Sequence, residues 1–243
     1  MSGLVIDSKR VAVPGVEVVT WLDDQRRAPR VTKVYARRAA DVSAVVLHTS
    51  KGRRPVIVPE HVSSHAWALA RYQASTKRAV SWHFTIAHDG TVIQQADAAT
   101  AATWHAGHAN RWSVGIELAQ DDALVLSRAQ VDSAIALVRV LCREFCVPFR
   151  VPCSVLAGGA GSLVQGPVRA WQPRREGGDS RVVHGVVGHR SLTRDRGAGD
   201  PGDPLLLALL DAGADAASVE EMSRDVLVCD DPDDGSHEGE ETL

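Results

Sequence analysis

The chain of 243 residues carries 27 basic and 30 acidic side chains, and hydrophobic residues make up 44% of it. This length supports one well-buried core, and the composition excludes wholesale disorder and a fibrous design. The formal net charge of -3 gives no broad attraction to nucleic acid or to an anionic membrane, so neither is expected as a partner.

The N-terminal residues and the cysteines indicate the cellular compartment in which the protein is expected. Asp7, Lys9 and Arg10 interrupt the apolar stretch at the N-terminus, so we predict no signal peptide and a soluble cytoplasmic chain. The cysteines lack zinc-ribbon spacing, and in that compartment their thiols are expected to be reduced. The four are Cys142, Cys146, Cys153 and Cys229.

The first elements of the chain lead to a buried strand. Residues 1–40 contain one strand-like run, Val11 to Val19, and are interpreted as an arm that lies on the main domain. The first core strand is predicted over Val42 to Leu47, an apolar run that ends at His48. A helix is predicted within Val62 to Gln73.

A β-hairpin and the clearest helix follow. Two strand-like runs, His83 to Ala87 and Thr91 to Gln95, flank an Asp-Gly pair, which is a strong hairpin signal. Ser113 to Leu118 is predicted to form another strand. A capping box at Ser127 and apolar residues at helical spacing then predict a helix that Pro148 closes.

The last third of the chain is less regular. Residues 150–181 are rich in Gly, Pro, Arg and Ser and are interpreted as a loop or insertion. A strand over Val182 to Val187 and a short helix over Pro204 to Leu210 are predicted after it. Residues 212–243 are interpreted as an acidic, disordered tail.

These elements define the predicted architecture. Strands that alternate with helices indicate an α/β fold with a central mixed β-sheet flanked by helices. The functional domain is predicted to span residues 41–211, between the arm of residues 1–40 and the tail.

Two predicted strands place a histidine where they end. His48 follows the first core strand, His189 follows the late strand, and Asp200 lies in the loop after it. Two imidazoles and one carboxylate leave a fourth position open for water, which is the ligand pattern of catalytic zinc. On these residues alone, satisfied core or surface histidines remain an alternative.

Six short segments, in one order, strengthen the zinc hypothesis. They are VVLHTS at 45–50, VSWHFTIAHDGTV at 80–92, TWHAGHAN at 103–110, SVGIEL at 113–118, VVGHR at 186–190 and GDPGD at 199–203. The series resembles the peptidoglycan amidases, a family that includes phage lysozyme-type amidases, cytoplasmic muropeptide-recycling amidases and animal peptidoglycan recognition proteins. The resemblance spans roughly residues 40–211.

The resemblance implies roles for four residues. His48, His189 and Asp200 match the zinc ligands, and the aspartate is similar to the third ligand of the muropeptide-recycling branch. Glu117 matches the glutamate that positions and deprotonates the attacking water, a base that amide hydrolysis needs. Taken alone, Glu117 is better interpreted as a solvated carboxylate near a strand end.

The same resemblance implies a substrate groove. His105, Trp82 and Asn110 are the residues expected to bind substrate, and an ordinary loop residue is the alternative for His105. Trp104 is expected to pack on the core, and packing against a sugar ring is the alternative. Relatives often carry a lysine where Ala198 stands, and that lysine can stabilise the oxyanion. In this sequence either Arg194 or Arg196 is a candidate for the role, and the role can also be absent. An indole at position 82 replaces a tyrosine that donates a proton in some relatives.

These expectations define a zinc-dependent amidase. The implied reaction is hydrolysis of the bond between N-acetylmuramic acid and L-alanine, with peptidoglycan or muropeptides as the substrate and zinc as the cofactor. A recognition module that binds peptidoglycan without cleaving it is the first alternative, and a zinc hydrolase of other amides is the second. Both a recycling enzyme and a phage-type lysin agree with the sequence.

Overall fold

A computed structural model describes residues 3–23, 34–51, 64–120, 125–154, 162–164, 166–194 and 200–224. Its three α-helices are α1 (Ser64–Ser75), α2 (Arg128–Glu144) and α3 (Asp203–Asp211). The strands are β1 (Leu4–Ile6), β2 (Lys9–Val11), β3 (Val18–Thr20), β4 (Val34–Ala36), β5 (Ala44–Lys51), β6 (Phe84–Ile86), β7 (Val92–Gln94), β8 (Ala101–Thr103), β9 (Ser113–Gln120), β10 (Arg150–Ser154), β11 (Ser162–Leu163), β12 (Gly185–Gly188) and β13 (Asp215–Ala217).

A six-stranded sheet organises the molecule, in the order β12-β5-β9-β6-β7-β3. Four neighbouring pairs are parallel, and β6 and β7 form the antiparallel hairpin that the Asp-Gly pair predicts. The sheet is therefore mixed, and helices cover it, so the predicted α/β fold class is confirmed. The longest ladder joins β5 to β9 at the centre of the sheet.

Side chains alternate between the two faces of this sheet, because successive residues of a strand point in opposite directions. One face carries Leu47, Ile116 and Phe84, which pack with α2 and α3 in the main core. The opposite face carries His48 and Glu117, which stand directly opposite one another on β5 and β9. We call these the core face and the site face of the sheet.

The N-terminal residues belong to the core instead of forming an arm on its surface, so this interpretation is corrected. Leu4 and Ile6 are buried in the main cluster, and β3 pairs with β7 as the edge strand of the central sheet. The Gln94 side chain ties the segment down, because it accepts from the Val5 amide at 2.8 Å and donates to the Val5 carbonyl at 2.7 Å.

Helix α2 begins as the sequence predicts and ends slightly earlier. The Ser127 hydroxyl accepts from the Gln130 amide, and the Gln130 side chain accepts from the Ser127 amide, which completes the capping box. The helix ends at Glu144, and Cys146 then adopts a left-handed conformation with φ of 54° before Pro148 is reached.

The cysteine prediction holds for two residues and is wrong for a third. Cys142 and Cys153 are free and buried, and burial raises the pKa of the Cys142 thiol to about 12. Cys146 is disulfide-bonded, contrary to the expected reduced thiol.

Parts of residues 150–224 pack against both faces of the central sheet, so two sequence interpretations are corrected. Strand β10 pairs with β11 and with β13, which lies inside the segment predicted to be a disordered tail. Trp171 from the predicted insertion and Met222 from the predicted tail are both fully buried in one cluster with Val187. Residues 225–243 lie outside the described residues.

Within the described part of the chain, no helix is long and apolar enough to cross a membrane.

Candidate metal centre and groove

Three adjacent parallel strands bring the predicted site residues together. Strand β5 lies between β12 and β9, and His48 on β5 is the register partner of Glu117 on β9. His189 follows the last residue of β12 directly. Parallel strands share their carboxyl ends, so these side chains meet at one edge of the sheet, where α/β folds commonly bind ligands. Strand β5 continues to Lys51, four residues beyond Leu47, where the predicted strand ends.

His48, His189 and Asp200 form a group that could hold a metal ion, with ligand atoms all within 4.8 Å of one another. The two histidine Nδ1 atoms lie 3.0 Å apart, and His189 Nδ1 is 3.5 Å from Asp200 Oδ2. Tetrahedral zinc with bonds of about 2.0–2.1 Å keeps its ligands roughly 3.3–3.4 Å apart, so the donor set and its spacing fit zinc.

Both the side chain and the backbone carbonyl of Asp200 accept hydrogen bonds from neighbouring backbone amides. Asp200 Oδ1 accepts from the Thr49 amide at 3.0 Å, which leaves Oδ2 turned toward the histidines. The Arg190 amide donates to the Asp200 carbonyl at 3.0 Å, and the buried Arg190 guanidinium forms an ion pair with Asp203. A Cβ on Gly188 would come within 2.7 Å of the Pro201 ring, so glycine allows the loop to approach the end of β12.

A groove of about 950 Å³ opens over this group on the site face. Glu117 is half-buried and lines the groove together with His48, His189 and Asp200. A carboxylate beside a group that could hold a metal ion, with room for a large ligand above both, is an arrangement that suits metal-assisted hydrolysis.

His105 lies at the groove wall, but its ring nitrogens are engaged inside the protein. Its Nδ1 is 2.9 Å from His48 Nε2, and its Nε2 is 3.2 Å from the Ser113 hydroxyl. Burial, with smaller contributions from the charges of His189 and Arg37, lowers the pKa of His105 to about 3. The imidazole is therefore neutral over the physiological range.

The other two residues predicted to bind substrate also line the groove. The Trp82 indole N–H donates to the Thr85 hydroxyl at 2.7 Å, so the side chain offers the groove carbon atoms only. Asn110 Oδ1 accepts from the amides of His105 and Ala106 at 2.9 and 2.6 Å, which fixes the backbone of that segment. Substrate contact by these residues stays a prediction.

His83 is held inside the sheet, away from the groove. It is fully buried, its Nδ1 accepts from the Gly115 amide at 2.9 Å, and its Nε2 lies 2.8 Å from the Ala101 carbonyl, to which it donates. Burial and then the nearby Arg37 guanidinium hold the pKa of His83 well below its usual value. This residue is a buried neutral histidine fixed by backbone groups.

Four residues that were not predicted to bind substrate also border the groove. Trp104 is 45% exposed there, which corrects the expectation that it packs in the core. Tyr72 adds a second exposed ring, and Arg78 and Arg175 add positive charge. No motif marked Tyr72, Arg78 or Arg175 in the sequence.

One candidate for oxyanion stabilisation reaches the groove. Arg194 lines it and donates from Nε to Gln172 Oε1 at 2.7 Å, which anchors the guanidinium. Arg196 and Ala198 lie outside the described residues.

Known structures share this fold. The Drosophila peptidoglycan recognition protein SD matches with a TM-score of 0.51 and 18% identity, covering 84% of this chain and 98% of that one. The complex of peptidoglycan recognition proteins LCa and LCx with tracheal cytotoxin matches with a TM-score of 0.50 and 13% identity, covering 82% and 98%. The amidase endolysin LysCS of Clostridium intestinale has a TM-score of 0.45 and 14% identity, covering 81% and 95%.

Sequence comparison gives a more specific result. No curated protein matches the chain. The sequence profile described as N-acetylmuramoyl-L-alanine amidase matches residues 38–203, which is more than half of the chain. Because the matched region contains the strands that carry His48 and Glu117 as well as His189 and Asp200, the chain belongs to the N-acetylmuramoyl-L-alanine amidase family.

Proposed function

We propose that this protein hydrolyses the amide bond between N-acetylmuramic acid and L-alanine in peptidoglycan or muropeptides, with zinc bound by His48, His189 and Asp200. The observation that carries this proposal is the convergence of a His-His-Asp group and Glu117 in one groove of a chain from the amidase family. Zinc bound there supplies a Lewis acid, which activates water and polarises the scissile carbonyl.

Glu117 is the proton-transfer group of the proposed reaction. Its carboxylate stands beside His48 in the sheet and faces the groove, where it can take a proton from the attacking water. As the carbon–nitrogen bond breaks, the same carboxyl returns that proton to the alanine nitrogen, which then leaves as an amine. The products are a glycan whose N-acetylmuramic acid carries a free carboxylate and a peptide with a new N-terminus.

The groove suits the proposed substrate. Exposed Trp104 and Tyr72 offer aromatic faces for packing against a sugar or an acyl chain. Arg78, Arg175 and Arg194 supply positive charge for the carboxylates of a stem peptide. Arg194 is the described candidate for stabilising the oxyanion that forms on the scissile carbonyl.

The experiment that tests this proposal is mass spectrometry of the products from a defined muropeptide. The zinc-loaded protein is expected to give the intact peptide and the glycan part of the muropeptide with a free carboxylate on its N-acetylmuramic acid. Binding without any cleavage would favour the alternative of a recognition module, and cleavage at a peptide bond would indicate a hydrolase of other amides.

Replacing Glu117 by glutamine separates binding from chemistry. Glu117→Gln is expected to keep zinc and muropeptide affinity while the turnover rate falls by roughly a hundredfold or more, because general-base contributions are of that size. Steady-state release of peptide measures the rate, and calorimetry measures binding. Unchanged turnover would show that Glu117 takes no part in the reaction.

The cytoplasmic location of the protein stays a prediction.

A further inference from the structure

A chain of hydrogen bonds leads from the metal-binding group into the protein through two histidines and a serine. It runs from His48 Nε2 to His105 Nδ1 at 2.9 Å, and from His105 Nε2 to the Ser113 hydroxyl at 3.2 Å. The Ser113 hydroxyl in turn donates to the Ala109 carbonyl at 2.7 Å. His48, His105 and Ser113 are all buried, so water does not compete for these contacts.

The hydrogen bond from Ser113 to Ala109 determines which atom donates and which accepts in the other two hydrogen bonds of the chain. A carbonyl oxygen only accepts, so the single Ser113 hydroxyl proton is committed to Ala109. The serine oxygen must then accept, which places a proton on His105 Nε2 and leaves a lone pair on His105 Nδ1. That lone pair accepts from His48 Nε2–H, and His48 is left with its own lone pair on Nδ1.

His48 Nδ1 is the atom that faces the rest of the metal-binding group, 3.0 Å from His189 Nδ1. A histidine binds a metal only through an unprotonated nitrogen, so this tautomer of His48 is the one that zinc needs. We propose that His105 is a positioning residue: its Nδ1 accepts from His48 Nε2–H and its Nε2–H donates to the Ser113 hydroxyl, which holds His48 in its metal-binding tautomer and orientation.

The packing of His105 supports this role. A Cβ on Gly115 would lie 2.6 Å from Cγ and Nδ1 of His105, so the imidazole rests directly on the backbone of β9 and only glycine leaves room for it. Asn110 holds the amide of His105 from the other side at 2.9 Å. The ring is therefore fixed in place before any metal arrives.

This inference rests on the proposed zinc site. The first test determines which ring nitrogen of each histidine is protonated, and it does not depend on an activity measurement. Nitrogen-15 NMR of the metal-free and zinc-loaded full chain is expected to show protons on Nε2 of both His48 and His105. A proton on Nδ1 of His48 in the metal-free chain would overturn the relay. Failure to bind zinc at all would instead remove the proposed function.

The second test measures zinc affinity by competition with a chelator. His105→Ala removes the acceptor and is expected to weaken zinc binding by about 10- to 100-fold, the usual cost of losing a group that orients a ligand. His105→Asn keeps an acceptor oxygen near the position of Nδ1 and is expected to restore much of the loss. His88→Ala, which removes a histidine from the turn of the distant hairpin, is the control and should bind zinc like the parent chain.

The two variants distinguish a relay from a general effect on stability. If asparagine and alanine at position 105 weaken zinc binding equally, or if neither does, the positioning role is wrong. The NMR assignment on the unaltered chain decides the matter if either variant fails to fold. Normal zinc binding and muropeptide cleavage in His105→Ala would overturn this inference and leave the proposed function standing.

Discussion

Leu47 and His48 are neighbours in the chain, yet they serve opposite faces of the central sheet. Leu47 is fully buried in the apolar core beneath α2 and α3, whereas His48 lies on the site face within the metal-binding group. Ile116 and Glu117 repeat the same division on the adjacent strand. Alternation along a strand thus lets each strand contribute to stability on one face and to chemistry on the other.

The two faces also differ in what holds them together. The core face has apolar contacts, whose free energy grows with the area removed from water. The site face carries buried polar groups, each fixed by a specific partner, as His105 is by Ser113 and Asp200 is by the Thr49 amide. Substitutions of apolar residues on the core face should therefore change stability, and substitutions of the polar residues that line the groove on the site face should change zinc binding and turnover.

The metal-binding group gives the largest expected effect. His48→Ala or His189→Ala is expected to weaken zinc binding by about 2.5–4 kcal/mol, roughly a hundred- to a thousandfold, which is about a quarter of the roughly 10–16 kcal/mol found for structural zinc sites with four protein ligands. Metal analysis after dialysis against a chelator measures this loss. Full zinc retention by both variants would disprove the site.

Leu47, the neighbour of His48 in the chain, tests the core face of the sheet. Leu47→Ala is expected to lower the free energy of unfolding by about 2–5 kcal/mol, the cost of a cavity in a closed core. Urea unfolding of the metal-free chain measures it, with His48→Ala as the matched control that should cost less. If His48→Ala destabilised the metal-free chain more than Leu47→Ala did, the division between the faces would not hold.

A second apolar cluster, which includes Trp171, Val187 and Met222, covers part of the site face. Met222→Ala is expected to cost at least about 2 kcal/mol, because the side chain is fully buried against the sheet. Truncation after Asp215, which removes Met222 and Ala217, should cost more. Thermal melts measure both, with Glu220→Ala at an exposed position as the control. An unchanged melting temperature after truncation would restore the interpretation of this segment as a tail.

A smaller effect concerns pH and the buried His83. Its folded-state pKa lies well below the value of about 6.5 in an unfolded chain, so the unfolded state binds more protons as the pH falls. The stability that the neutral ring contributes is therefore complete above about pH 6.5 and is lost below it, by up to about 1.4 kcal/mol per pH unit.

A substitution isolates this contribution. His83→Asn keeps an acceptor for the Gly115 amide and does not titrate, so its stability should fall less steeply between pH 6.5 and pH 5 than that of the parent chain. Urea unfolding of the metal-free proteins at several pH values measures both slopes. Equal slopes would show that His83 does not govern this part of the pH dependence.

The sequence predicted the elements whose signals are local. The Asp-Gly pair fixed the hairpin, and the capping box at Ser127 fixed the start of α2, because both depend on residues only a few positions apart. His48, His189 and Asp200 were found because the motifs around them are specific, and the structure brings them together.

The predictions were wrong for short strands whose partner strands are far away in the sequence. Strand β3 has three residues and follows a Pro-Gly break, so its place at the edge of the central sheet comes from its pairing with β7. Strand β13 reads Asp-Ala-Ala, which has little strand character without β10 beside it. The exposure of Trp104 likewise depends on the surrounding groove, which the sequence does not reveal.

The central claim is that zinc held by His48, His189 and Asp200 supports cleavage on the site face. The most direct test is to strip the metal from the full chain and add zinc back while measuring bound metal and the peptide released from a defined muropeptide. Activity is expected to rise with bound zinc and to level off near one equivalent, and His48→Ala should not recover. Full peptide release from metal-free protein, or saturation with zinc and no release at all, would contradict this account.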